Sequence, residues 1–117
     1  MKKYVKDLRV ADVEFPRSGY VLLRLEPTSG LLPEVMPGQF VEVLVKNSAS
    51  TFLRRPISVN FVDYANNQMW LLVHEVGDGT RHMALCKKGD LLNCMFPLGN
   101  GFTMPQQDGK KVLLVGG

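Results

Sequence analysis

Alternation of apolar and polar residues along the chain predicts a protein built mainly of β-strands. Every second residue is apolar in segments 20–26, 40–45 and 56–61, as expected for strands that bury one face. In the last of these, Ile57, Val59 and Phe61 are expected to share the buried face. Residues 69–76 and 90–95 form two further runs of strand type.

Turn-forming residues separate these strands, in segments 27–30, 33–38, 47–50 and 64–68 and in a long polar piece from 97 to 111. This spacing predicts a small antiparallel barrel or sandwich. One short helix is predicted from Arg81 to Lys88, with Thr80 capping its first turn and Gly89 ending it.

The segment from Lys111 to Gly117 differs from the rest because it is an apolar run that leads into two glycines. In nucleotide-binding α/β units, a buried parallel strand leads into a glycine-rich turn in this way. The residues alone leave two interpretations open: the first strand of such a unit, or a last barrel strand with a frayed tail.

Length and composition indicate one globular domain with a cytoplasmic location. The chain has 117 residues, 45% of them hydrophobic, and its longest apolar run is too short for a membrane helix. No secretory signal is expected at the start, and two cysteines are too few for a disulfide framework. The net charge of +3 comes from scattered basic pairs, which argues against nucleic-acid binding.

Two segments are suited to holding phosphate. In residues 53–58, the guanidinium of Arg55 can grip a pyrophosphate through two parallel hydrogen bonds, while Arg54 is left to face solvent. In residues 77–80, two glycines permit close backbone approach ahead of the free amides of a helix start. Each segment also has an ordinary interpretation, as a strand with solvated arginines and as a capped turn.

The residues resemble a known family when four motifs are taken in order. These are Leu-Arg-Arg-Pro-Ile-Ser at 53–58, Gly-x-Gly-Thr at 77–80, Pro-Leu-Gly-Asn-Gly-Phe at 97–102 and Leu-Leu-Val-Gly-Gly at 113–117. Together they resemble the electron transfer subunit of bacterial dihydroorotate dehydrogenase. The resemblance implies an all-β fold, a small six-stranded antiparallel Greek-key barrel of the ferredoxin reductase type that binds FAD and carries one short helix. It also implies an FAD-binding barrel over residues 1–110 and, over 111–117, the first strand of an NAD-binding domain that is cut short.

The resemblance assigns cofactor-binding roles by position. Arg55 matches the arginine that holds the FAD pyrophosphate, and Ser58 matches the serine at the edge of the flavin ring, with Pro56 and Ile57 between them. The wider superfamily usually has tyrosine at the position of Ile57, so an aliphatic contact is expected there.

The second matching strand and the helix start complete the implied site. Leu72, Val73 and His74 lie on the strand that passes the flavin, and Gly79 with Thr80 matches the pair at the pyrophosphate. Some relatives have arginine where this chain has His74, so we expect a backbone contact from His74. No residue is expected to be catalytic or to bind metal, since the flavin carries the chemistry.

For the full-length subunit the resemblance implies NADH, a [2Fe-2S] cluster and a catalytic partner subunit, in a heterotetramer that serves pyrimidine biosynthesis. The cluster and the NAD-binding domain are expected to follow residue 117, and residues 1–117 alone are expected to be inactive. Two alternatives remain. One is the flavin subunit of a sulfide dehydrogenase, sulfhydrogenase or ferredoxin-NADP oxidoreductase, and the other is a barrel that binds no cofactor and serves as an interaction module.

Overall fold

Six antiparallel strands and one short helix make up the computed structural model, which describes residues 2–45, 54–106, 108, 109 and 111–115. The elements are β1 (Tyr4–Arg17), β2 (Tyr20–Pro27), β3 (Phe40–Leu44), β4 (Arg55–Asp63), β5 (Gln68–His74), α1 (Asp78–Ala84) and β6 (Leu91–Leu98).

The strands close into a barrel in the order β1-β2-β5-β4-β3-β6. β3, β4 and β5 are neighbours in sequence and in space, and β6 returns to lie beside β3, which is a Greek-key connection. The predicted fold, a six-stranded antiparallel barrel with one short helix, is therefore confirmed.

Apolar side chains from all six strands fill the barrel interior. The fully buried ones include Leu8, Val21, Val43, Leu71 and Phe96, each no more than 1% exposed. Met83 of α1 packs into the same core and closes the barrel at the helix end. The apolar positions of each alternating strand face inward, so together they form one continuous core that is removed from water.

A β-bulge changes the predicted face of β4. Its pairing with β5 shifts register between Val59 and Phe61, so the strict alternation stops there. Ile57 and Val59 pack against the core as predicted, whereas Phe61 is 51% exposed and stacks edge-on against Trp70 on the outer surface.

The helix begins and ends earlier than predicted. Its first residue is Asp78 rather than Arg81, so Thr80 lies inside the first turn instead of preceding it. From there the Thr80 hydroxyl accepts hydrogen bonds from the amides of Val76 and Gly77, both at 3.0 Å. Thr80 thus still orders the start of the helix, but from its third position.

Some predicted features have no regular structure or lie outside the described residues. Residues 111–115 form neither helix nor strand and are exposed, so their assignment to a second domain stays a prediction. The turn at 47–50 and Leu53 are not among the described residues. Across the described parts of the chain, the only helix is far too short to span a membrane.

Candidate functional site

The barrel brings the two phosphate-suited segments to the same end of the molecule. β4 and β5 are antiparallel neighbours, paired for example between Val59 and Leu71, so the start of β4 lies beside the end of β5. β4 starts at Arg55, β5 ends at His74, and α1 begins four positions later in the chain. Arg55 and Gly79 therefore lie at the same end of the barrel, although they are 24 positions apart in the sequence.

The two adjacent arginines have different environments. Arg54 is half-buried, and its guanidinium donates to the backbone oxygen of Asn93 at 3.2 Å and to the side-chain oxygen of the same residue. The prediction that Arg54 faces solvent is therefore wrong. Arg55 is exposed, and among the described residues its guanidinium has no hydrogen-bond or ion-pair partner. Its five donors are available to a ligand.

Because side chains alternate along β4 and β5, some of the remaining predicted residues point to the outer surface and others point to the core. Ser58, Leu72 and His74 are exposed on the outer surface. Ile57 packs against the core and Val73 is 1% exposed. An external ligand can therefore meet the side chains of the first three residues, but Val73 can offer it only its backbone.

The end of β5 is fixed from the side of β2. The His74 ring stacks on Tyr20 with 4.3 Å between ring centroids and planes 6° apart. The next residue, Glu75, donates its amide to the Gly19 oxygen at 2.9 Å. These contacts hold the strand that leads into α1, and the stacked pair gives this part of the outer wall a flat apolar surface.

The start of α1 offers backbone donors rather than side-chain ones. The Thr80 hydroxyl is engaged, because it accepts from two amides and donates to the Gly77 oxygen at 3.0 Å. The amides of Gly79 and Thr80 lie in the first turn, where a helix has no internal acceptor for them. Since α1 has only seven residues, these local amides matter more than a helix dipole.

This set of donors suits the diphosphate of a dinucleotide such as FAD. A diphosphate presents several anionic oxygens, which a guanidinium fork and backbone amides bind well. Beside them, the outer surface of β4 and β5 carries a hydroxyl at Ser58 and apolar contacts at Leu72, as a partly polar, partly apolar ring system needs. The residues present therefore fit the cofactor that the sequence motifs imply.

A surface cleft of about 310 Å³ runs along the outer side of β4 beyond Ser58. It is lined mainly by apolar side chains of residues 35–37 and 59–62 and by Tyr64. The Tyr64 hydroxyl accepts from the Val35 amide at 2.9 Å, which holds the loop that forms one wall. The sequence pattern does not predict this cleft, because the cleft depends on the bulge in β4 and on a loop 29 residues away.

Another cleft of about 370 Å³ lies between α1, the residue that follows β3 and the start of β6. Cys86 lines it, and burial raises the pKa of the Cys86 thiol. Burial also raises the pKa of the Cys94 thiol, to about 12. Within the described residues no three His, Cys, Asp or Glu side chains are grouped closely enough to hold a metal ion.

Comparison with known proteins identifies relatives of the same kind as the sequence motifs indicate. The electron transfer subunit of dihydroorotate dehydrogenase B (NAD(+)) from Lysinibacillus sphaericus is 40% identical over 88 residues, covering 74% of this chain and 34% of the relative. The subunit of the same name from Bacillus mycoides is 42% identical over 82 residues, covering 69% and 32%. The chain thus spans about a third of the length of these relatives. No protein-family model matches it.

Solved structures share the fold at lower sequence identity. Phthalate dioxygenase reductase, described as a modular structure for electron transfer from pyridine nucleotides to [2Fe-2S], gives a TM-score of 0.73 at 20% identity, over 87% of this chain and 32% of that one. An NADH-dependent reduced ferredoxin-NADP oxidoreductase gives 0.71 at 23% identity, over 82% and 34%. The resemblance found in the sequence is therefore confirmed: the chain is a homologue of dihydroorotate dehydrogenase electron transfer subunits and has the barrel fold of ferredoxin reductase-type FAD-binding domains.

Proposed function

We propose that the chain is the FAD-binding barrel of an electron transfer subunit of dihydroorotate dehydrogenase. The observation that carries this proposal is the convergence at one end of the barrel of the start of α1 with Arg55, whose guanidinium has no partner among the described residues. Bound FAD would supply the redox chemistry, taking two electrons from NADH and passing them on singly. The protein's own task is to bind and orient the cofactor.

In this proposal the residues that contact the phosphates lie at the end of the barrel where β4 begins. Arg55 would neutralise charge on the diphosphate through its guanidinium fork. The amides of Gly79 and Thr80 would bind further phosphate oxygens, while the Thr80 hydroxyl keeps the turn at Gly77 in shape. Gly79 also has no side chain that would keep a ligand away from the backbone of this turn.

In this proposal the flavin ring is bound by residues on the outer surface of β4 and β5. Ser58 would meet the polar edge of the flavin, and Leu72 on the neighbouring strand would pack against the ring. Pro56 is exposed at the start of β4, while Ile57 and Val73 face inward and would fix the strands from within. His74 would contribute its backbone, since its ring already stacks on Tyr20.

The electron-transfer partners of the full-length subunit are proposed from the similar proteins and not from the structure of the barrel. We propose that the full-length subunit handles NADH in a separate domain and carries a [2Fe-2S] cluster there. It would exchange electrons with a catalytic subunit that interconverts dihydroorotate and orotate, as part of cytoplasmic pyrimidine biosynthesis. On this proposal residues 1–117 bind FAD but do not catalyse the reaction alone.

An FAD titration of the purified chain tests the proposal, with flavin absorbance and thermal stabilisation as readouts. Arg55→Ala is expected to weaken binding about tenfold to a hundredfold, because a hydrogen-bonded charge pair contributes roughly 1.5–3 kcal/mol. Arg55→Lys should lie between, since lysine keeps the charge but loses the fork. Lys3→Ala is the control. It removes one positive charge beside Tyr4, which pairs with Phe96 towards the other end of the barrel.

Two results would count against the proposal. One is a wild-type chain that neither turns yellow nor gains stability at FAD concentrations up to about 1 mM, the range needed if a neighbouring domain normally adds contacts. The other is an Arg55→Ala variant that binds as well as Lys3→Ala. The partner is tested separately by affinity capture with the full-length subunit. Recovery of a dihydroorotate dehydrogenase catalytic chain supports the assignment, and recovery of a hydrogenase chain would replace it.

A further inference from the structure

An aromatic side chain lies directly beside Ser58 on the outer surface of the barrel. In the pairing of β3 with β4, Phe40 is opposite Ser58, and residues opposite each other in a sheet point to the same face. The burial pattern of β3 agrees, since Val41 and Val43 are fully buried while Phe40 is half-buried. Phe40 thus presents part of its ring next to the hydroxyl assigned to the flavin edge.

The Phe40 ring is held in place by the loop that follows β6. A Cβ atom added to Gly99 would lie 2.9 Å from Cε1 and 3.1 Å from Cδ1 of Phe40, so the ring rests on the Gly99 backbone. Gln39 secures that loop from below. Its side-chain nitrogen donates to the Gly99 oxygen at 2.9 Å, and its side-chain oxygen accepts from the Met36 amide at 2.8 Å.

This arrangement gives a role to a motif that the proposed function does not use. The run Pro97–Phe102 contains Gly99, which has a φ of +80° and no room for a side chain under Phe40. The run therefore forms a rim beside Ser58 and fixes the orientation of the Phe40 ring. Only a glycine at position 99 allows the ring to lie so close to the loop.

We propose that Phe40 supplies the aromatic contact to the flavin ring, in place of an aromatic residue on β4. The proposal rests on the proposed FAD site. Ile57, which occupies the position where an aromatic contact would come from β4, packs against the core. Phe40 reaches the same part of the outer surface from the neighbouring strand, beside Ser58 and across β4 from Leu72. A flat, preoriented ring here stabilises a stacked or edge-on contact with little loss of side-chain entropy.

The first test is an FAD titration of two Phe40 variants. Phe40→Leu should weaken FAD binding about twofold to tenfold, the range expected for loss of one aromatic pair contact. Phe40→Tyr should bind as the wild type does, because it keeps the ring. Phe15→Leu is the matched control, since Phe15 is 63% exposed on β1, on the opposite side of the barrel from β4, and should leave binding unchanged.

The second test reads proximity directly and does not depend on affinity. Tryptophan in contact with a flavin quenches its fluorescence by electron transfer, so Phe40→Trp should reduce the emission of bound FAD to a small fraction of the wild-type value. Phe15→Trp makes the same change on β1, opposite β4 in the barrel, and should leave the emission as in the wild type. Trp70 is present in every variant and sets a common background.

The outcomes separate this proposal from the one on which it rests. If the wild-type chain binds no FAD, the proposed function fails. If the wild type binds FAD, but Phe40→Leu binds equally well and Phe40→Trp leaves the emission unchanged, then Phe40 does not touch the flavin and this proposal alone is overturned. Should Phe40→Trp fail to fold, as thermal unfolding would show, the comparison of Phe40→Leu with Phe40→Tyr decides.

Discussion

Replacement of Gln39 by leucine should destabilise the barrel although the new side chain is apolar and similar in size. Gln39 is 1% exposed, and its amide joins two loops by accepting from Met36 and donating to Gly99. Leucine would leave one backbone amide and one carbonyl without these partners, each costing about 1–3 kcal/mol. Burying the apolar side chain offsets roughly 1.5–3 kcal/mol. With the middle value of each range, the net loss in the free energy of unfolding is about 2 kcal/mol.

Urea denaturation followed by Trp70 fluorescence and circular dichroism measures this loss. For a domain of this size, each kcal/mol lowers the melting temperature by roughly 3–5 °C, so thermal unfolding gives an independent value. Gln68→Leu is the matched control, because within the described parts of the chain the Gln68 side chain accepts a single long hydrogen bond, at 3.4 Å from Trp70. That control should change stability by less than about 0.5 kcal/mol. Equal denaturation midpoints for the two variants would show that the Gln39 amide does not hold the loops together.

Two further predictions concern the same core. Gly99→Ala should lower the urea midpoint more than Gly30→Ala does. Both glycines have positive φ, +80° and +71°, but only a Cβ at 99 meets the Phe40 ring, so equal losses would contradict the contact. For Cys94, burial raises the pKa from 9.0 to about 12, so the folded thiol stays protonated while the unfolded one ionises. The stability it contributes is therefore complete below pH 9 and is lost towards pH 12, by about 4 kcal/mol at 1.36 kcal/mol per pH unit. Cys94→Ala should therefore remove most of the fall in the free energy of unfolding between pH 9 and about 12. If the variant loses stability as steeply as the wild type in this range, the Cys94 thiol is not the group responsible.

The strands that bury one face regularly could be predicted from the sequence, whereas β1 could not. Segments 20–26 and 40–45 alternate cleanly and became β2 and β3. β1 has 14 residues, but only Leu8 and Val10 are buried, because it pairs with β6 over its first part and with β2 over the rest. Charged residues therefore interrupt its pattern, and only the closure of the barrel explains why it is a strand.

The chemistry of the candidate site could be predicted better than its geometry. The sequence indicates that Arg55 and a glycine-rich helix start suit phosphate, but their convergence depends on the antiparallel pairing of β4 with β5. The contact of Phe40 with Gly99 depends on strand register and on a loop 59 residues further along the chain. Propensity and periodicity act over a few residues, so they carry no information about such pairings.

The different environments of Arg54 and Arg55 follow from where β4 begins. Arg54 reaches across β3 and donates to Asn93 of β6, and Asn93 in turn donates to Asp7 of β1 at 2.9 Å. This chain of hydrogen bonds fixes the backbone immediately before Arg55. A guanidinium that extends from a fixed strand start loses less conformational entropy on binding an anion than one that extends from a loose loop. In the proposed site Arg54 would therefore position Arg55, and Arg55 would be the arginine that meets the phosphate.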